Sequence, residues 1–168
     1  NRELILPTFS KDCPEEITDL FVGHEVGHAL YTSPENLPEG RLLHEHLQDL
    51  YEEVDGENPD SVAMTYNILE DARIERLLVE DFPGLRQVFR KGYQKLMERD
   101  FFGLEDKDIN SLHILDKVNI HYKMGENSTI EFKDDEKWIL EEVDKCQTFE
   151  DLTELVPRVH EFSKRDKR

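Results

Sequence analysis

The sequence predicts a mainly α protein, α+β at most, and three observations carry that reading. Apolar residues recur at three- and four-residue spacing through seven stretches; helix start and stop signals bracket most of them; one short segment near the N-terminus has the extended, apolar character of a strand. Glu3 to Phe9 is that segment, expected as an edge strand because Pro7 is tolerated only where no ladder hydrogen bond is needed. Asp12-Cys13-Pro14-Glu15-Glu16 then starts a helix, with proline and two acids where the helix dipole favours them, and Thr32-Ser33-Pro34 breaks it after Tyr31. Residues 33 to 41, with two prolines and a glycine, form a loop, and Leu42 to Tyr51 predicts a short helix carrying His44 and His46 on different faces.

Asp55 to Asp60 is a turn, with Asp60 or Ser61 as the cap of a second long helix over 61–81, stopped by Phe82-Pro83-Gly84. Leu85 to Phe101 spaces Leu85, Val88, Phe89, Tyr93 and Leu96 for packing. The polar break after Gly103 divides a core over residues 1–107 from a helical extension over 108–168, packed on it as one compact unit. The extension predicts helices over Asn110 to Lys123, Asp134 to Asp144 and Phe149 to Phe162, with a turn at Gly125 to Ser128 and only a local strand or loop at Thr129 to Phe132.

Composition narrows the function. A net charge of −18 with a pI near 4.7 repels phosphate backbones and anionic lipid, so neither nucleic acid nor membrane is expected as a partner. The two cysteines, Cys13 and Cys146, lack metal-ligand spacing and suit a reducing compartment better than a disulfide scaffold. Without an 18-residue apolar run or a signal peptide, the chain is expected to be soluble. A first residue that is not Met and a terminal Ser163 to Arg168 charged run suggest a piece of a longer protein.

The chemistry is concentrated in Phe21 to Tyr31, which contains His24-Glu25-x-x-His28. Residues four apart lie about 40° from each other around a 3.6-residue helix, so both imidazoles reach one ion from the same face. Glu25 sits beside that ion without being forced to ligate it, placed to take a proton from an attacking water. With 7 His in 168 residues, about 0.04 accidental matches are expected, so chance is a poor explanation. Ile17, Leu20, Phe21, His24, His28 and Tyr31 share one stripe, and two histidines on a core stripe need partners that a single metal ion supplies. Gly23 and Gly27, each costing about 1 kcal/mol in a helix, imply that another backbone or a substrate approaches there.

A catalytic zinc takes a third protein ligand and keeps a position for water. The candidate lies in Tyr66 to Glu75, as Glu70 or Asp71; adjacent positions are about 100° apart and both faces have apolar neighbours, so helical phase leaves the choice open. His-Glu-x-x-His followed by a distant helix bearing Glu resembles the gluzincin zinc peptidases. The His28-Ala-Leu-Tyr-Thr32 continuation and Asn67-x-x-Glu70-Asp-Ala-Arg73-x-Glu75 resemble more closely a group of metallopeptidases encoded by tailed phages. A weaker likeness reaches the von Willebrand A-type cobaltochelatase subunit.

The resemblance implies a zincin-like helical core in which His24, His28 and Glu70 bind Zn2+ and Glu25 is the general base of peptide hydrolysis. It also implies a peptide lying along the N-terminal edge strand and the cytoplasm of a bacterial or phage-infected cell. The gluzincin Asp four residues after the ligand Glu is missing, since position 74 is Ile; Asp71 or Glu75 would have to take its part, or Asp71 be the ligand itself. Tyr66, one turn before Glu70, is the first candidate to stabilise the oxyanion, followed by Tyr31, His44 and Arg73, with core packing an equal reading for either tyrosine. A different class of function is an adaptor that keeps the zincin helices without catalysis and works beside an AAA+ ATPase or a further C-terminal domain, as the cobaltochelatase likeness implies.

Overall fold

A computed structural model of the chain describes residues 5–34 and 37–168. Seven α-helices run through them: α1 (Glu15–Tyr31), α2 (Leu43–Asp55), α3 (Pro59–Asp81), α4 (Leu85–Glu98), α5 (Ile114–Met124), α6 (Lys137–Lys145) and α7 (Phe149–Ser163). Single 3-10 turns precede and follow α5, at Ile109–Ser111 and Gly125–Asn127. The mainly α class is therefore observed. No described helix is long and apolar enough to cross a membrane.

The architecture is built around α3. It packs against α1, α2, α5, α6 and α7, and its buried residues include Val62, Ile68, Leu69, Glu70, Arg73, Ile74 and Leu78, which occupy every side of the helix. A helix buried all round shows no single apolar stripe in its sequence. Two cores flank it. One joins Val62, Tyr66, Leu69 and Ala72 of α3 to Ile114, Val118, Ile139, Leu152 and Val159 of α5 to α7, so it spans the position where the sequence reading divides core from extension. The other joins Ile17 and Leu20 of α1 to Leu78 of α3 and Phe89, Tyr93 and Leu96 of α4.

No strand forms at the N-terminus among the described residues: Ile5 to Phe9 is irregular, and Glu3 and Leu4 lie outside them. The physical reason is the absence of a described partner strand, because a lone edge leaves its backbone groups unpaired. Phe9 instead rests its ring 5.8 Å from that of Phe21, tying the segment to α1. Elsewhere the helices keep their predicted places with shifted ends. Most altered are α2, extended to Asp55, and α5, whose first predicted turn is the separate 3-10 turn at Ile109–Ser111.

The glycines explain how closely α1 is held. A β-carbon on Gly27 would lie 2.8 Å from Ile74 Cδ1 of α3, so the approach expected there comes from a neighbouring helix. Gly92 of α4 is tighter: its added methyl would lie 2.8 Å from the Glu16 carbonyl and closer still to Leu20 Cβ. Gly92→Ala is expected to cost about 1–3 kcal/mol through overpacking, read as a lower thermal midpoint. Gly23→Ala, whose methyl meets the Phe89 ring at 3.5 Å, is expected to melt close to the wild type. Equal melting of Gly92→Ala would contradict the close crossing of α1 and α4.

Candidate metal centre

Three side chains from two helices converge. His24 and His28 of α1 stand with ring centroids 4.7 Å apart and planes at 78°, bringing their Nε2 atoms to 3.1 Å. Asp71 Oδ1 of α3 completes the triangle, 3.0 Å from His28 Nε2 and 3.3 Å from His24 Nε2. Zinc bonds of about 2.0–2.1 Å in tetrahedral arrangement separate neighbouring ligand atoms by about 3.3 Å, so these three donors fit one small cation. Their side chains are 17%, 28% and 22% exposed, which leaves one side of the cluster open to water or a substrate.

The surrounding contacts differ between the two histidines. His28 Nδ1 is hydrogen-bonded to Thr32 Oγ1 at 2.8 Å, at the residue that caps the C-terminus of α1, turning Nε2 towards Asp71. The buried His24 Nδ1 has no hydrogen bond, and Glu75 Oε1 stands 3.9 Å away as a charge neighbour. Glu75 in turn accepts the Tyr93 hydroxyl of α4 at 2.5 Å. Lys123 Nζ of α5 approaches Asp71 Oδ2 at 3.7 Å.

Electrostatics make this a place that holds positive charge. Burial lowers the His24 pKa, but the Asp71 and Glu75 carboxylates outweigh it and raise it to about 10. Burial would raise the Asp71 pKa; the hydrogen bonds from His24 and His28, with the Lys123 charge, hold it far below the usual range. Beside His24 and Asp71 lies a small cavity of about 130 Å³, walled largely by Leu20, Phe21, Leu96 and Phe102.

Glu70 goes elsewhere. Its side chain is fully buried; Oε1 accepts from Arg73 Nε at 2.6 Å and Oε2 is buried without a partner. Burial pushes its pKa up to about 7, against the opposing pull of Arg73. Arg73 also donates to the carbonyls of Tyr31 at 2.8 Å and Gln147 at 2.9 Å, clamping the end of α1 to the turn before α7. The cause is rotational: Asp71, Ile74, Glu75 and Leu78 form the stripe of α3 that meets α1 at Gly27, while Glu70 lies about 100° around the helix from Asp71. The His24, His28 and Glu70 set is therefore not the one brought together; Asp71 stands where Glu70 was expected.

Glu75, four residues on from Asp71, brings a second α3 carboxylate to within 3.9 Å of His24 Nδ1. Tyr66 shares the Glu70 face, about 140° from Asp71. Its ring packs against Tyr51 and Phe149 and its hydroxyl is buried without a partner, so it is a core residue and is not brought to the triangle. Of the other oxyanion candidates, Tyr31 donates its hydroxyl to Asp81, Arg73 is spent in the clamp, and His44 is exposed on α2. Glu25 is half-buried and engages no ion pair or side-chain hydrogen bond among the described residues. Lys123 and Tyr93 were not singled out for chemistry by sequence. No local pattern points to Lys123, which lies 52 positions from Asp71; Tyr93 carried only a packing signal.

Comparison with known proteins finds no matching family model, no matching curated protein and no matching solved structure.

Proposed function

We propose that the protein is a metal-dependent peptide hydrolase in which His24, His28 and Asp71 hold a zinc ion and Glu25 is the general base. The single observation that carries this reading is the convergence of His24 Nε2, His28 Nε2 and Asp71 Oδ1 within 3.0–3.3 Å of one another on a solvent-accessible face. Bound there, zinc would acidify a water molecule and polarise a peptide carbonyl. The chain's own residues do the rest. Glu25, next to His24 in α1 and free of competing partners among the described residues, accepts the proton and returns it to the departing amine. Thr32 holds the His28 imidazole in orientation, Glu75 lends negative charge beside His24, and the 130 Å³ apolar cavity offers room for a substrate side chain beside the scissile bond. Lys123, 3.7 Å from Asp71 Oδ2, replaces Tyr66 as the candidate to stabilise developing negative charge. Two free cysteines suit the cytoplasm as the working compartment.

Lys123 also favours a second reading, a non-catalytic adaptor acting with an AAA+ ATPase or a further domain. An ammonium beside Asp71 and a protonated His24 balance the cluster without any metal. Zinc stoichiometry separates the two. Wild type and Glu70→Gln are expected to take up about one zinc per chain, the latter provided it folds, and Asp71→Ala to lose affinity at least tenfold. Zinc uptake by Asp71→Ala equal to wild type removes Asp71 from the ligand set, and a wild type that takes up none favours the adaptor.

A further inference from the structure

A second, larger cavity of about 310 Å³ opens between α3, α4 and α5. It collects four cations, Arg76, Arg86, Arg90 and Lys123, in a chain with only 21 Lys and Arg against 39 Asp and Glu. The two carboxylates in its wall are already engaged, Glu75 with the Tyr93 hydroxyl at 2.5 Å and Glu80 with Arg76 at 3.3 Å. Arg76 still has a buried Nε–H without an acceptor. Arg86 and Arg90, neighbours across one turn of α4, hold the Glu126 carboxylate between them at 3.7 and 3.3 Å. Glu126 is 71% exposed. Ion pairs made by so exposed a group contribute little and exchange readily, so the two arginines display a carboxylate-binding geometry whose present occupant is easily displaced.

The cavity adjoins the metal centre. Lys123 and Tyr93 line both this cavity and the smaller one beside His24 and Asp71. Arg90 is three residues from Tyr93, about 4.5 Å of helical rise, and extended peptide spans about 3.3–3.6 Å per residue, so a bound chain reaches from one site to the other within a few residues. The acidic surface elsewhere does not exclude an anionic ligand, because charges beyond about 8–10 Å are largely screened at physiological salt.

We propose that this cavity receives a carboxylate of the peptide substrate, which Arg86 and Arg90 hold in place of Glu126. The inference rests on the hydrolase reading and adds the substrate class: peptides bearing an acidic side chain, or a free C-terminus, a short distance from the cleaved bond. Both sources present the same group, and the experiment distinguishes them.

Fluorescence anisotropy on chelator-treated protein reads binding without turnover, using three dansylated probes: Ala-Ala-Glu-Ala-Ala amide, Ala-Ala-Gln-Ala-Ala amide, and the Gln peptide with a free C-terminus. At least tenfold tighter binding of the Glu amide over the Gln amide assigns the site to a side-chain carboxylate; the same preference for the free acid assigns it to a chain terminus. Arg86→Gln/Arg90→Gln is expected to abolish the preference. Glu126→Gln, at an exposed position, is expected to tighten acidic peptides severalfold by removing the internal competitor. Binding of all three probes within twofold, or a preference that survives the double arginine replacement, overturns the proposal. Failure of the zinc-loaded protein to cleave any peptide overturns the hydrolase reading alone, since the binding comparison contains no catalytic step.

Discussion

Glu25→Gln is expected to leave zinc binding and folding intact while lowering the turnover of a quenched fluorescent peptide by about 10²–10⁴-fold. The amide keeps the shape of the carboxylate and loses its basicity, so the variant isolates proton transfer from everything else at the centre. Glu25 suits this test because it has no structural partner to lose: it is half-buried, and no ion pair or side-chain hydrogen bond engages it among the described residues. A surface substitution of that kind changes stability by roughly 0.5 kcal/mol or less, so a fall in kcat with an unchanged thermal midpoint has one explanation. Turnover equal to wild type, at equal zinc content, would sink the role assigned to Glu25.

Arg73→Met is expected to destabilise the protein by about 3–5 kcal/mol, the cost of breaking a buried ion pair by removing one partner. Glu70, whose pKa burial already raises to about 7, would lose the cation that holds it down and take up a proton inside α3, and the carbonyls of Tyr31 and Gln147 would lose their donor. For a domain whose whole stability is about 5–15 kcal/mol, this is a large fraction, readable as a lower urea midpoint. Glu70→Leu/Arg73→Met together should recover much of the loss, because two apolar side chains of similar volume need no partners. If Arg73→Met unfolds at the wild-type midpoint, the clamp between α1 and the turn before α7 is not a source of stability.

These two variants also separate what was legible along the chain from what was not. Glu25 takes its role from spacing alone, and the structure adds only that it is half-buried in α1 next to His24. Arg73 was legible only as an ion-pair partner for Glu70 or Asp71 or as an oxyanion candidate. It pairs with Glu70 inside a helix buried on every side, and neither residue joins the His24, His28 and Asp71 cluster. The N-terminal segment shows the opposite failure: Ile5 to Phe9 has a strand's composition, but a strand is a relation between two segments, and no described segment answers it.

The sequence by itself determined the helices and the pairing of His24 with His28, because both are local: a helix relates residues three and four apart, whatever surrounds it. Only the tertiary structure decided the third member of the cluster. Glu70 and Asp71 differ by a rotation of about 100° about α3, and that rotation is set by contacts across the fold. Ile74 and Leu78 press against Gly27 on one side, and Arg73 reaches Gln147 on the other. Packing between distant segments fixes the phase of a helix buried all round, and no periodicity within the helix records it.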